Sequence, residues 1–119
     1  VEKKLEDQKI EIEGEGTYEG LRLQLNDLIS IKSDDNYIEV SFLNNGSLKK
    51  QLIRNKLSSI ETAIPELMRT HRSHLINPEH LQQFKMISGK LNLILSSENI
   101  VPVSKTYAAI VKENLGNRD

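Results

Sequence analysis

The segment YIEVSFLNNGSLKKQLI, residues 37–53, constrains the fold more than any other stretch of this chain. Ile38, Val40 and Phe42 alternate with Tyr37, Glu39 and Ser41, the period of two that belongs to a strand with one face buried. Asn45 and Gly46 tolerate the positive φ that a tight hairpin turn demands, so the chain is expected to reverse there and return through Leu48 to Ile53.

Other segments follow the same pattern. Leu21, Leu23 and Leu25 alternate with Arg22 and Gln24, and after Asn26 and Asp27 the segment LISI leads to Lys32, which gives two short strands. Leu57, Ile60 and Ile64 at helical spacing predict one short helix, capped by Asn55 and ended by Pro65. Asn77 followed by Pro78 reads as an N-cap and first helical residue, so NPEHL is expected to form a single turn. A second hairpin is predicted from QFKMI through SGK to LNLIL, with Leu91, Leu93 and Leu95 on one face, and a last strand from Ile100 to Val103. Ser104 then caps a terminal helix whose apolar stripe is Tyr107, Ile110, Val111 and Leu115, with Gly116 placed to end it. The expected class is mainly β, with short, mostly antiparallel strands and two or three short helices.

A chain of 119 residues is the usual size of one domain. Residues 1–16, VEKKLEDQKIEIEGEG, are charge-rich and end in Gly-x-Gly, so they read as a linker or the remnant of an upstream module with no core role. The folded domain is expected over residues 17–116 and a tail over 117–119. The chain begins at Val1, and its first residues are too polar for a signal peptide, which reads as a fragment. No apolar run approaches the ~20 residues of a membrane span. With no cysteine, disulfides and thiolate metal sites are excluded, and the expected location is the cytoplasm.

The net charge of −1 hides an asymmetry. Residues 1–39 hold eleven Asp/Glu against five Lys/Arg, whereas residues 40–119 hold eleven Lys/Arg against six Asp/Glu. An acidic end and a basic working body follow.

The stretch THRSHLINP, residues 70–78, concentrates the chemistry. His71 and His74 suggest a metal pair, but residues three apart in an extended segment are expected to diverge, and no Glu stands as in H-E-x-x-H. Ser73 as a nucleophile would need an oriented base and an oxyanion site on a sharp turn such as G-x-S-x-G, which is missing. Phosphate-loop and dinucleotide-binding glycine patterns are missing too, so neither an enzyme nor a cofactor is expected. Arg72 fits better as a probe reaching out from a turn. Its planar fork matches guanine's two acceptors or phosphate oxygens, and His71 and Ser73 can add phosphate hydrogen bonds. A second anion-facing feature is PVSKTY, where Ser104, the amides of a helix N-terminus and Lys105 come together. Few aromatic residues, 4% of the chain, argue against a single-strand binder.

DNYIEV, RTHRSHLIN and VPVSKTY, in this order and spacing, resemble the LytTR DNA-binding domain of bacterial transcription regulators, over roughly Leu21 to Leu115. The resemblance implies an elongated, strand-dominated fold that inserts loops into successive major grooves of promoter DNA. It implies three contact regions: Asn36 and Tyr37 beside Asp35; Arg72 with His71 and Ser73; and Lys105 with Ser104. It further implies pairs of subunits on repeated sites and an upstream receiver or membrane-sensing region. Two residues depart from the pattern. Asp34 and Asp35 bring negative charge to the first region, where Lys32 is the expected offset, and Lys105 stands where arginine is frequent. If Lys56 or Lys90 touches phosphate, its substitution is expected to lower the salt slope of binding by about one unit with little change in preference. A protein-interaction module for an acidic partner, using the same β-rich surface, is the alternative.

Overall fold

The computed structural model describes residues 8–14 and 20–115. Three antiparallel sheets account for most of them. A two-stranded sheet pairs β1 (Lys9–Glu13) with β2 (Gly20–Gln24). The central five-stranded sheet contains β3 (Leu28–Asp34), β4 (Tyr37–Asn44), β5 (Ser47–Arg54), β6 (Met68–His71) and β7 (His74–Ile76), in the order β5-β4-β3-β7-β6. A three-stranded sheet follows, with β8 (Leu81–Ile87), β9 (Lys90–Leu95) and β10 (Asn99–Pro102) in the order β10-β9-β8. Two helices complete the fold, α1 (Leu57–Ala63) and α2 (Lys105–Leu115).

The predicted hairpin of residues 37–53 forms β4 and β5, with φ of 55° at Asn45 and 82° at Gly46. Ile38, Val40 and Phe42 enter a core with Ile31, Ile53, Leu75 and the α1 residues Leu57, Ile60 and Ile64. The opposite face is covered as well. Leu43, Ile29 and Ile76 pack with Leu93, Leu95, Val101, Val111 and Leu115 from the third sheet and α2. Ser41, read from its alternation as lying on an outer face, is therefore buried. Alternation reports which side a residue takes, and only the third layer determines that both sides are dry.

Three local expectations change. Residues 9–13, expected to have no core role, form β1, and Ile12 is 1% exposed in the first core. Ile10 and Ile12 alternate with Lys9, Glu11 and Glu13 at the period of a strand, a signal hidden by the charge-rich context of the stretch. The Gly-x-Gly that ends this stretch lies mostly outside the described residues, as does the expected stop at Gly116. Asn55 does not cap α1, because Lys56 occupies the cap position. Its amide group instead donates to the Glu13 carbonyl oxygen, tying α1 to β1, while its Oδ1 accepts from the Lys56 N–H. Ile110 is half exposed. The stripe of α2 runs narrowly through Tyr107, Val111 and Leu115, spaced four residues apart, and Ile110 falls on its flank.

Asn77 does cap its turn, accepting from the Glu79 N–H, and its side-chain amide also donates to the Leu25 and Leu28 carbonyls. This buried hub fixes the point where the chain leaves the central sheet for the third. His80 adds a second tie, between Ser96 Oγ and the Asn26 carbonyl.

Candidate nucleic-acid interface

Antiparallel registry brings the turns of the central sheet to its ends. β3 pairs with both β4 and β7, so the Asp35–Asn36 turn and the Arg72–Ser73 turn emerge at the same end. The Ser33 N–H donates to the Ser73 carbonyl at 2.9 Å and fixes the two turns side by side. Arg54 arrives at this end too, because Tyr37 pairs with Arg54 in the β4–β5 register.

The third region joins through β6. The Ser104 N–H donates to the Thr70 carbonyl at 3.0 Å, and Thr70 Oγ1 donates to the Pro102 carbonyl at 3.1 Å. Thr70 is fully buried, so this clamp between the central sheet and the start of α2 is shielded from water. All seven residues singled out in the sequence, Asn36, Tyr37, His71, Arg72, Ser73, Ser104 and Lys105, thus gather at one end of the molecule. Asn36, Arg72 and Lys105 are exposed there, and His71, Ser73 and Ser104 are half-buried behind them.

The spacing follows from strand geometry. At about 4.8 Å between neighbours, the three intervals from β4 to β6 span ~14 Å, and the step to Ser104 brings the total to the order of 20 Å. Arg72 stands midway. The Thr70 clamp makes the Arg72 turn and the Ser104–Lys105 junction neighbours. The wide spacing is between Asn36 and Lys105.

The Arg72 turn has an unusual construction. Two-residue hairpin turns generally match strand twist by placing residues at positive φ. Asp35, Asn45, Gly46, Ser88 and Gly89 do so, whereas Arg72 and Ser73 do not. Side chains hold this turn instead. The Arg69 guanidinium donates to the Arg72 carbonyl at 2.7 Å while its Nη2 meets Glu61 Oε1 of α1 at 2.6 Å. Within the turn, the Ser73 N–H donates to His71 Nδ1 at 3.1 Å, which leaves the His71 proton on Nε2.

The hairpin also corrects the expected divergence of the histidines. His71 and His74 face each other across the turn, with ring centroids 5.2 Å apart and edge to face, because the chain reverses between them. Burial, then the neighbouring His71 and Lys32, push His74 down to about 4, so it is neutral at ordinary pH, and its Nδ1 is buried without a partner.

Two contributors escaped the sequence reading. Arg54 lies 6.0 Å from the Tyr37 ring centroid and adds a cation to this end of the sheet. Lys32 is exposed on β3, two residues from Asp34 and paired with Glu39 and His74 in the register. Arg54 could have been found, since a two-residue turn at Asn45–Gly46 forces position 37 to face position 54. Arg69 could not, because its partner Glu61 sits on a separate element. Lys90 and Asn92 of the second hairpin share a cleft of about 450 Å³ with His71, Ser104 and Lys105, which adds a further cation to this end.

Residues 19–116 match the family model described as the LytTr DNA-binding domain. The transcriptional regulatory protein BtsR of Escherichia coli strain K12 is 39% identical over 61 residues, covering 50% of this chain and 25% of that protein. The sensory transduction protein LytT of Bacillus subtilis is 27% identical over 92 residues, covering 75% of this chain and 36% of that one. The chain therefore spans about a quarter to a third of these relatives. Among solved structures, the fold is similar to the LytTr DNA-binding domain of a Bacillus cereus protein described as a methyl-accepting/DNA response regulator. The TM-score is 0.72 at 18% identity, covering 92% of this chain and 97% of that chain.

Proposed function

The chain belongs to the LytTr DNA-binding domain family, and on that premise we propose that it is the DNA-reading output module of a bacterial transcription regulator with a receiver or sensor region upstream. The family is one of DNA-binding domains rather than enzymes. The observation that carries the reading is the gathering of three chain turns and their cations at one end of the central sheet. The Asp35–Asn36 turn and the Ser104–Lys105 junction, on the order of 20 Å apart, straddle about half of a helical turn of ~34 Å. With side-chain reach added, the two flanks enter facing edges of successive major grooves. Arg72 lies over the strip between them, and Arg54, Lys90 and Lys105 meet phosphates along the rim. Subunits bind in pairs on repeated sites.

Selection of bound sequences from a random duplex library tests this directly. The expected outcome is an enriched motif present as two repeats. Uniform recovery of all sequences, or binding of an acidic protein partner that duplex DNA fails to displace, would remove the reading.

A further inference from the structure

We propose that Arg69 and Glu61 form a positioning brace that sets the base preference of Arg72 without touching DNA; the inference rests on Arg72 reading DNA as described above. Three observations converge. The Arg72–Ser73 turn lacks the positive φ angles that shape the other two-residue hairpin turns, and the holds it receives from the Ser33 N–H and His71 Nδ1 fall on Ser73 and not on Arg72. The Arg69 guanidinium holds the other residue of the turn, through the Arg72 carbonyl at 2.7 Å. Glu61 in turn holds the guanidinium through Nε at 3.2 Å and Nη2 at 2.6 Å.

Accessibility separates this arginine from its neighbour. The Arg69 side chain is 15% exposed and its charge is matched by the carboxylate, so it is poorly placed to meet phosphate. A planar fork is what the position requires: one edge faces the helix and another faces the turn, which a single ammonium cannot do. Glu61, at 42% side-chain exposure on the solvent side of α1, is the replaceable end of the brace.

The test uses the full chain with a duplex obtained by selection and a shuffled duplex of equal composition. Glu61→Ala keeps the helix, since alanine is its best former. Affinity for the selected duplex should fall about tenfold, within the range for a lost base contact. Affinity for the shuffled duplex, and the salt dependence of binding, should stay unchanged. Glu61→Gln retains an oxygen acceptor and should restore most of the preference. Arg69→Lys keeps the charge and should behave like Glu61→Ala. Backbone amide relaxation of Arg72 and Ser73 in the free protein gives a readout independent of DNA, and both residues should gain motion in Glu61→Ala. If Arg72→Ala lowers the preference but Glu61→Ala leaves both preference and turn motion unchanged, the brace is overturned. If Arg72→Ala itself leaves the preference intact, the base-reading premise has failed instead. Additive losses in the Glu61→Ala, Arg72→Ala double variant would also overturn the proposal, because a brace acting through Arg72 has nothing left to position once that side chain is gone.

Discussion

Arg69 and Arg72 lie in one short hairpin, yet one is sealed against a carboxylate and the other projects into water, so the same side chain performs two tasks. Removing the outer fork with Arg72→Ala should cost about 1–3 kcal/mol on the selected duplex and relax preference at one position, measured by competition titration. An equal loss on shuffled DNA would reassign Arg72 to phosphate. His74 adds a dependence on acidity. Its proton affinity is lowered by folding, to about 4 from 6.5, so the unfolded chain binds the proton more tightly. Its contribution to stability is therefore complete above about 6.5 and lost as pH falls towards about 4. Thermal melting should drop across this window, and His74→Phe should flatten the drop, since phenylalanine has no nitrogen to protonate in the same half-buried place. A profile identical to that of the parent protein would place the acid sensitivity elsewhere.

At the scale of elements, the two ends of the central sheet are separable. The Asn45–Gly46 turn is at the end remote from Arg72 and needs a left-handed backbone, although the space around Gly46 is open. Gly46→Ala should therefore destabilise the fold by about 1–2 kcal/mol through backbone conformation alone. Urea denaturation should register that loss while affinity for the selected duplex stays unchanged. This same hairpin was the most legible part of the sequence, because period, turn chemistry and registry all reside in one continuous stretch. The second hairpin, the Asn77 cap and the helix at Leu57–Ala63 were legible for the same local reason. β1 was not, because its burial depends on α1 and on the Asn55 amide reaching Glu13 from a distant part of the chain. The facing histidines were misread because THRSHLI conceals a reversal that carries no glycine and no positive φ, and its support comes from Glu61, outside the motif. Asn36, Arg72 and Lys105 were nameable from their motifs, but their distances required the Thr70 clamp, which involves a buried hydroxyl and a proline carbonyl far away in sequence.

At the scale of the whole molecule, charge and layering act together. The β1–β2 sheet, whose Lys9 and Arg22 balance Glu11 and Glu13, packs on one side of the central sheet, and the described cations near the interface, Arg54, Arg72, Lys90 and Lys105, come from three different hairpins and a helix start. Their convergence explains how a chain with a net charge of −1 can present a locally positive end. The Thr70 clamp has a thermodynamic corollary. It fastens the middle layer to the outer one beside the very turns that would grip a duplex, so a duplex held by both Arg72 and Lys105 bridges the seam from outside. Occupancy at a hundredfold excess over Kd should add about 2.7 kcal/mol to the whole assembly. Amide hydrogen exchange would then slow in β9 and α2, far from any nucleotide, as much as in β6. A slowing confined to the turns would mean that the outer layer opens and closes on its own, indifferent to what the other half is holding.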